Sequence, residues 1–330
     1  PVEGPAFEAE SLPHEPVEPI APEPAEEPAP RVTFADLGLS EPILRAVAEA
    51  GYVTPTPIQE QAIPVVLMGR DVLGVAQTGT GKTASFTLPM LDILASGRAK
   101  ARMPRSLILE PTRELALQVA ENFVKYGKYL NLTHALLIGG ESMDEQRAVL
   151  EKGVDVLIAT PGRLLDLFDR GRILLADVRV LVIDEADRML DMGFIDEIRT
   201  ILEQTPAQRQ TVLFSATLPK PVLELVHSFC KTPVSVKIEA QSLTVPAIEQ
   251  TYYEVDRRSK VEVLCRLIDL QEIRFGIIFC ATRMMVDELS EQLNARGYST
   301  DKLHGDMSQA MRERVMQRFR KRSVDFLVAT

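Results

Sequence analysis

A chain of 330 residues with 45% hydrophobic and 25% charged side chains has the length of two ordinary domains and enough apolar content to bury a core in each. Its longest apolar runs, such as Val178 to Ile183, fall far short of the ~18 residues a membrane span needs, and no charged start followed by an apolar stretch suggests a secretory signal. The net charge is −10, and three cysteines without close spacing argue against a disulfide framework or a zinc site, so a reducing, cytoplasmic compartment is expected.

The acidity is unevenly placed. Residues 1–30 hold eight glutamates, nine prolines and no lysine or arginine, whereas the other 300 residues carry 39 acidic and 37 basic side chains. A segment so poor in large apolar residues cannot offset its ordering entropy, and residues 1–31 are expected to form a disordered tail. Such a tail acts as a solubilising linker or as a site for a protein partner. From Phe34 onward, short β-branched runs alternate with helical patterns. Ser40 can cap a helix that Gly51 ends. Strands are predicted at Asp71–Val75, Ser106–Leu109, Thr133–Ile138, Val154–Ala159, Val178–Ile183 and Thr211–Phe214. Helices are predicted between them, for example over Glu114–Tyr126 and Arg188–Leu202. This alternation predicts an α/β fold, a doubly wound parallel sheet with helices on both faces.

The pattern loosens from Pro233 to Pro246, and residues 241–249 read as a linker. A second alternation follows: strand Gln250–Val255, helix Ser259–Leu270, strand Phe275–Phe279, helices Arg283–Arg296 and Ser308–Arg320, and strand Asp325–Ala329. The domains expected are therefore 61–240, preceded by a segment 32–60, and a partial second unit 250–330. Because the chain stops just after an apolar strand, that strand is expected to lack a covering helix and to expose apolar surface around 324–330.

The strongest local signal is Ala76-Gln77-Thr78-Gly79-Thr80-Gly81-Lys82-Thr83 between a predicted strand and helix. Small residues let backbone N–H groups approach phosphate oxygens; Lys82 serves the outer phosphates, and the Thr83 hydroxyl suits magnesium. Alanine stands at 76 where the general pattern has its first glycine. A nucleotide site also needs acids, and the apolar run Val180–Ile183 ends in Asp184-Glu185. Asp184 can hold magnesium through its water shell, and Glu185 can orient or deprotonate the attacking water. Two acids after a strand are by themselves an ordinary solvated strand end; the loop at 76–83 makes a nucleotide hydrolase site the better reading. The cofactors expected are ATP and Mg2+.

With Ala186-Asp187, these acids form the motif that names the DEAD-box RNA helicases, and the other motifs resemble that family in order. Phe34, Gly51-Tyr52, Pro55-Thr56-Pro57-Ile58 and Gln59 resemble its adenine-recognising segment. Pro111-Thr112-Arg113-Glu114-Leu115-Ala116, Gly139-Gly140 and Thr160-Pro161-Gly162-Arg163 resemble its RNA-contacting motifs. Ser215-Ala216-Thr217 resembles the motif that couples hydrolysis to strand separation. Ile278-Phe279-Cys280, His304-Gly305-Asp306 and Gln309 to Arg312 match in the second unit. The resemblance implies two RecA-like domains, the second incomplete, and overall texture is similar to a bacterial RhlE-like branch.

The resemblance implies that Gln59 reads the adenine edge, which suits an amide's paired donor and acceptor. It implies that Phe34 stacks on the base, although an aromatic before a helix is also a hydrophobic staple. Arg113, Arg163, Gly140 and Gly162, with Gln309 and Arg312, would contact RNA backbone, giving little sequence preference. Ser215 and Thr217 would bond to the acidic motif. The family continues past Thr330 to arginine fingers, so this polypeptide is expected to bind ATP and RNA but hydrolyse poorly. Two other readings remain open: a non-catalytic ATP-gated RNA scaffold, and a P-loop motor acting on DNA or protein.

Overall fold

The computed structural model describes residues 32–97, 102–238 and 249–330. The expected acidic tail (1–31) and nearly all of the expected linker (241–249) lie outside the described residues.

A short 3-10 turn at Phe34–Leu37 opens the first unit. It continues through α1 (Glu41–Glu49), α2 (Pro57–Leu67), β1 (Val72–Val75), α3 (Lys82–Leu94), β2 (Ser106–Leu109), α4 (Arg113–Tyr126), β3 (His134–Leu137) and α5 (Met143–Lys152). Next come β4 (Val156–Ala159), α6 (Pro161–Asp169), β5 (Val180–Ile183), α7 (Ala186–Asp191), α8 (Ile195–Gln204), β6 (Gln210–Ser215), α9 (Lys220–Phe229) and β7 (Val234–Lys237). The strands form one sheet in the order β3-β4-β2-β5-β6-β1-β7, with every described pairing parallel. Alternate strand residues feed opposite faces, as the two-residue period of a strand requires. Ile108, Val182 and Phe214 join one core with Ile63, Phe86 and Phe123, while Leu107, Leu181 and Leu213 join another with Leu164, Ile198 and Leu225. The expected doubly wound sheet is present, and Phe34, Leu37 and Ile43 pack into its first core.

The second unit contains α10 (Lys260–Leu270), β8 (Gly276–Phe279), α11 (Arg283–Ala295), β9 (Thr300–Leu303), α12 (Gln309–Arg320) and β10 (Phe326–Ala329), its parallel strands ordered β8-β10-β9. Three expectations are corrected here. Residues 250–255 are not a strand; they pair with nothing in either sheet, and Tyr252 is exposed. The helix expected over Arg188–Leu202 is two helices, because a 6→1 bond from Phe194 N–H to Met189 O (3.0 Å) closes α7. The last strand is central rather than uncovered: β10 sits between β8 and β9, with Val328 in one small core beside Val286 and Leu293 and Leu327 in another beside Val315 and Phe319. Exposed apolar side chains do occur on the edge strand β8, at Ile277 and Phe279.

Candidate active site

The phosphate-type loop spans the gap from β1 to α3. Its first residue is tied to the sheet, since Ala76 N–H donates to Ser215 O at 3.1 Å. Gln77, Thr78 and Gly79 are exposed, and the Thr80 hydroxyl donates to Gln77 O at 2.8 Å, which rounds the turn. Gly81 has φ +95°, and a Cβ there would run into the Gln59 side chain, so backbone sign and space both demand glycine. Lys82 and Thr83 open α3, whose N-terminal N–H groups and dipole favour an anion.

The acids arrive at the end of β5, which β6 separates from β1. Lys82 Nζ lies 2.8 Å from Glu185 Oε1 and 3.9 Å from Asp184 Oδ1, and the Thr78 hydroxyl donates to Glu185 Oε1 at 3.2 Å. Glu185 is held at φ +52°, a left-handed conformation that costs a non-glycine residue about 1–3 kcal/mol. Its N–H donates to Asp184 Oδ1 at 2.9 Å. Burial pushes the Asp184 carboxyl up, to about 6, with Lys82 pulling the other way and Glu185 adding to the rise.

Ser215 and Thr217 do meet the acidic motif, and the partner is Asp187. Asp187 Oδ2 accepts from the Thr217 N–H at 2.8 Å and its hydroxyl at 2.7 Å; Ser215 Oγ accepts the Asp187 N–H at 3.2 Å and donates to Thr217 O at 2.7 Å. Burial alone would raise Asp187, but the Thr217 and Ser215 bonds hold it below the usual carboxylate range. Thus β6, the α7 turn and the loop, through Ala76, form one bonded unit.

Gln59 stands beside the loop. Its Oε1 accepts from Thr56 N–H at 2.9 Å, capping α2, and its amide donates to Gly81 O at 3.2 Å. Phe34 lies in the first core, only 5% exposed, in the packing role named as the alternative to stacking.

The expected RNA-facing residues of the first unit gather at the same carboxyl edge of the sheet. Thr112 caps α4, accepting from Leu115 N–H at 3.3 Å, with buried Pro111 before it. Arg113 donates to Gly139 O and reaches Glu141 Oε1 at 2.8 Å, leaving its Nε without a partner among the described residues. Gly140 takes φ +80°, a left-handed conformation that favours glycine, and a Cβ there would force the Arg113 guanidinium to move. Thr160 and Pro161 start α6 with Gly162, and Arg163 donates to Glu141 O and Gln146 Oε1, both at 3.2 Å. From the second unit, Gln309 donates to Glu313 at 3.0 Å, Arg312 donates to Gln309 at 3.4 Å, and Glu313 lies 3.5 Å from Arg113.

Two features escaped the sequence reading. Thr282-Arg283 repeats, after β8, the Thr112-Arg113 pattern that follows β2; Thr282 caps α11 at 3.2 Å, and Arg283, paired with Asp306, lines a cavity of about 770 Å³. The repeated strand–Thr–Arg–helix order was the available signal. The other is Glu110, a buried acid that follows β2.

Fold and loop together define a RecA-like P-loop protein. Residues 56–225 match the DEAD/DEAH box helicase family and residues 259–330 match the helicase conserved C-terminal domain; the chain belongs to the DEAD-box helicase family. It is 43% identical over 298 residues to the DEAD-box ATP-dependent RNA helicase CshA of Geobacillus kaustophilus (strain HTA426), covering 90% of this chain and 63% of that one. The CshA of Bacillus subtilis (strain 168) is 42% identical over 299 residues, covering 91% and 60%. The chain therefore spans about three-fifths of the length of these curated relatives. They are named CshA and lend the expected RhlE-like branch no support. Among solved structures, a DEAD box protein from the hyperthermophile Methanococcus jannaschii aligns with a TM-score of 0.60 and 35% identity, over 90% of this chain and 80% of that one. Saccharomyces cerevisiae Dbp5 bound to Gle1 and IP6 aligns with a TM-score of 0.66 and 30% identity, over 90% and 74%. Among the described residues, no helix is long and apolar enough to cross a membrane.

Proposed function

We propose that this chain is the ATP- and RNA-binding part of an ATP-dependent RNA helicase, acting in the cytoplasm, with residues 61–240 holding the nucleotide and 250–330 completing the RNA surface. The observation that carries the reading is the Lys82–Glu185–Thr78 cluster at the mouth of the 76–83 loop. The donor set fits Mg2+ with ATP. The Thr83 hydroxyl and Asp184 carboxylate are hard oxygen donors, and no group of three or more His, Cys, Asp or Glu among the described residues offers a direct cage, so the ion would come with the nucleotide. When bound, magnesium neutralises phosphate charge. Lys82 exchanges Glu185 for the outer phosphates, and that exchange frees Glu185 to accept a proton from the attacking water. Gln59 reads the adenine edge with its remaining hydrogen-bond capacity, and Phe34 would have to leave the first core to stack on the base.

RNA phosphates would take the place of Glu141 and Glu313 on Arg113, with Arg163, Gly140, Gly162, Gln309 and Arg312 completing the track. Asp187, bonded to Ser215 and Thr217, ties that edge to the loop. About five phosphate contacts predict a salt slope of roughly −3 to −4. The acidic segment 1–31 would serve a protein partner or solubility. ATP hydrolysis measured with single-stranded RNA and with DNA of equal sequence tests the reading: stimulation by RNA supports it, and equal response to both supports a motor of another kind.

A further inference from the structure

Glu110 is 1% exposed, and neither carboxyl oxygen has a hydrogen-bond partner among the described residues. An acid so placed demands an explanation, because a buried carboxyl without donors is costly in either protonation state. Its position supplies one. Leu109 pairs with Ile183 across β2 and β5, and Asp184 N–H continues the ladder to Leu109 O at 3.1 Å. Glu110 therefore follows in register beside Asp184, on the side of the sheet where Lys82 opens α3. Burial, with Asp184 and Glu185 adding to it and Lys82 opposing, pushes Glu110 well above the usual carboxylate range.

Resting on the function proposed above, we propose that Glu110 is a further acid of the magnesium site, accepting hydrogen bonds from the water shell of the ion that Thr83 and Asp184 hold with the nucleotide. Three lines of chemistry agree. Hydrated magnesium keeps several waters, each a donor of the kind both Glu110 oxygens lack. A divalent cation would place two positive charges beside Asp184, Glu185 and Glu110, where Lys82 supplies one. The carboxyl is walled off from bulk solvent, so its donors must come from within the site. Acids that act on a metal through its waters or ligands typically tune its affinity by 10–100-fold.

The test uses the full 330-residue chain with ADP, titrated with Mn2+ as the magnesium probe and followed by electron paramagnetic resonance. Glu110→Gln keeps the side-chain volume and should weaken Mn2+ binding to the ADP complex by about tenfold or more, and Glu110→Asp should recover part of the loss. ADP affinity in EDTA should not change in either variant. Wild-type Mn2+ affinity in Glu110→Gln, or an equal loss of ADP affinity with and without metal, overturns the inference and leaves the proposed function standing. Failure of the wild-type chain to bind ADP overturns both.

Discussion

Lys82 carries the most weight of any single side chain in the site, because its one buried cation faces Asp184 and Glu185 together. Glu185 accepts its bond from a left-handed backbone that nothing but a tightly built turn would hold. Glu185→Gln should keep nucleotide binding and lose hydrolysis by about 10²–10⁴-fold, read by comparing equilibrium binding with turnover. Gln59 makes two contacts, capping α2 and holding Gly81, and a third is proposed for adenine. Its change to alanine should weaken ATP by about 1–3 kcal/mol and GTP by less, in competition binding. Equal losses would leave only the cap and the loop contact. The sequence made Lys82, Asp184 and Glu185 legible because spacing and strand context encode them. It hid the partner of Ser215 and Thr217, since nothing in a linear string distinguishes Asp184 from Asp187 as the acceptor. Glu110 was hidden for a related reason: only the β2–β5 register brings it beside Asp184.

Among elements, the sheet is pinned at the end opposite the site by a buried pair. Arg105 reaches Asp155 at 2.6 Å and donates to Leu94 O and Ser96 O, while Asp155 accepts from Thr133 N–H and hydroxyl, both at 2.9 Å. These bonds clamp the ends of α3, β2, β3 and β4 together. Arg105→Ala should cost about 3–5 kcal/mol by removing the cation of a buried ion pair, measured by denaturant unfolding. Burial opposes the charge on Asp155, yet the Thr133 and Arg105 bonds leave its carboxyl below the usual range. A depressed folded-state value means the stabilisation is full above the unfolded carboxylate range and fades as pH falls through the folded one. Acid unfolding of Asp155→Asn should therefore be less steep below about pH 4 than that of the wild type. Strand prediction succeeded where apolar runs are buried on both faces, as at β2, β4 and β5. It failed at β9, whose Asp301 and Lys302 are paired with Arg318 and Asp287 and mask the strand pattern. It failed at 250–255 in the opposite sense: an alternating run is not a strand without a neighbour.

Across the whole molecule, the two units meet where Arg113 faces Glu313, at the edge that also holds Gly140 and Arg163. A phosphate bound there must displace a carboxylate. Gly140→Ala should push the guanidinium aside and weaken RNA binding by about 1.5–3 kcal/mol, the worth of a bond to a charged group, with ATP binding retained; anisotropy of labelled RNA reads the difference. The alternation of strands and helices foretold two α/β units because each crossover helix must cover a sheet face. It misjudged the last strand, since chain order carries no information on β10 lying between β8 and β9. The nucleotide site at Lys82 is tested by equilibrium binding of a fluorescent ADP with Mg2+ to the wild-type chain and to Lys82→Ala. Loss of the phosphate-facing cation should weaken binding by about 10- to 150-fold, as expected for 1.5–3 kcal/mol. Equal affinity in the two proteins would contradict it.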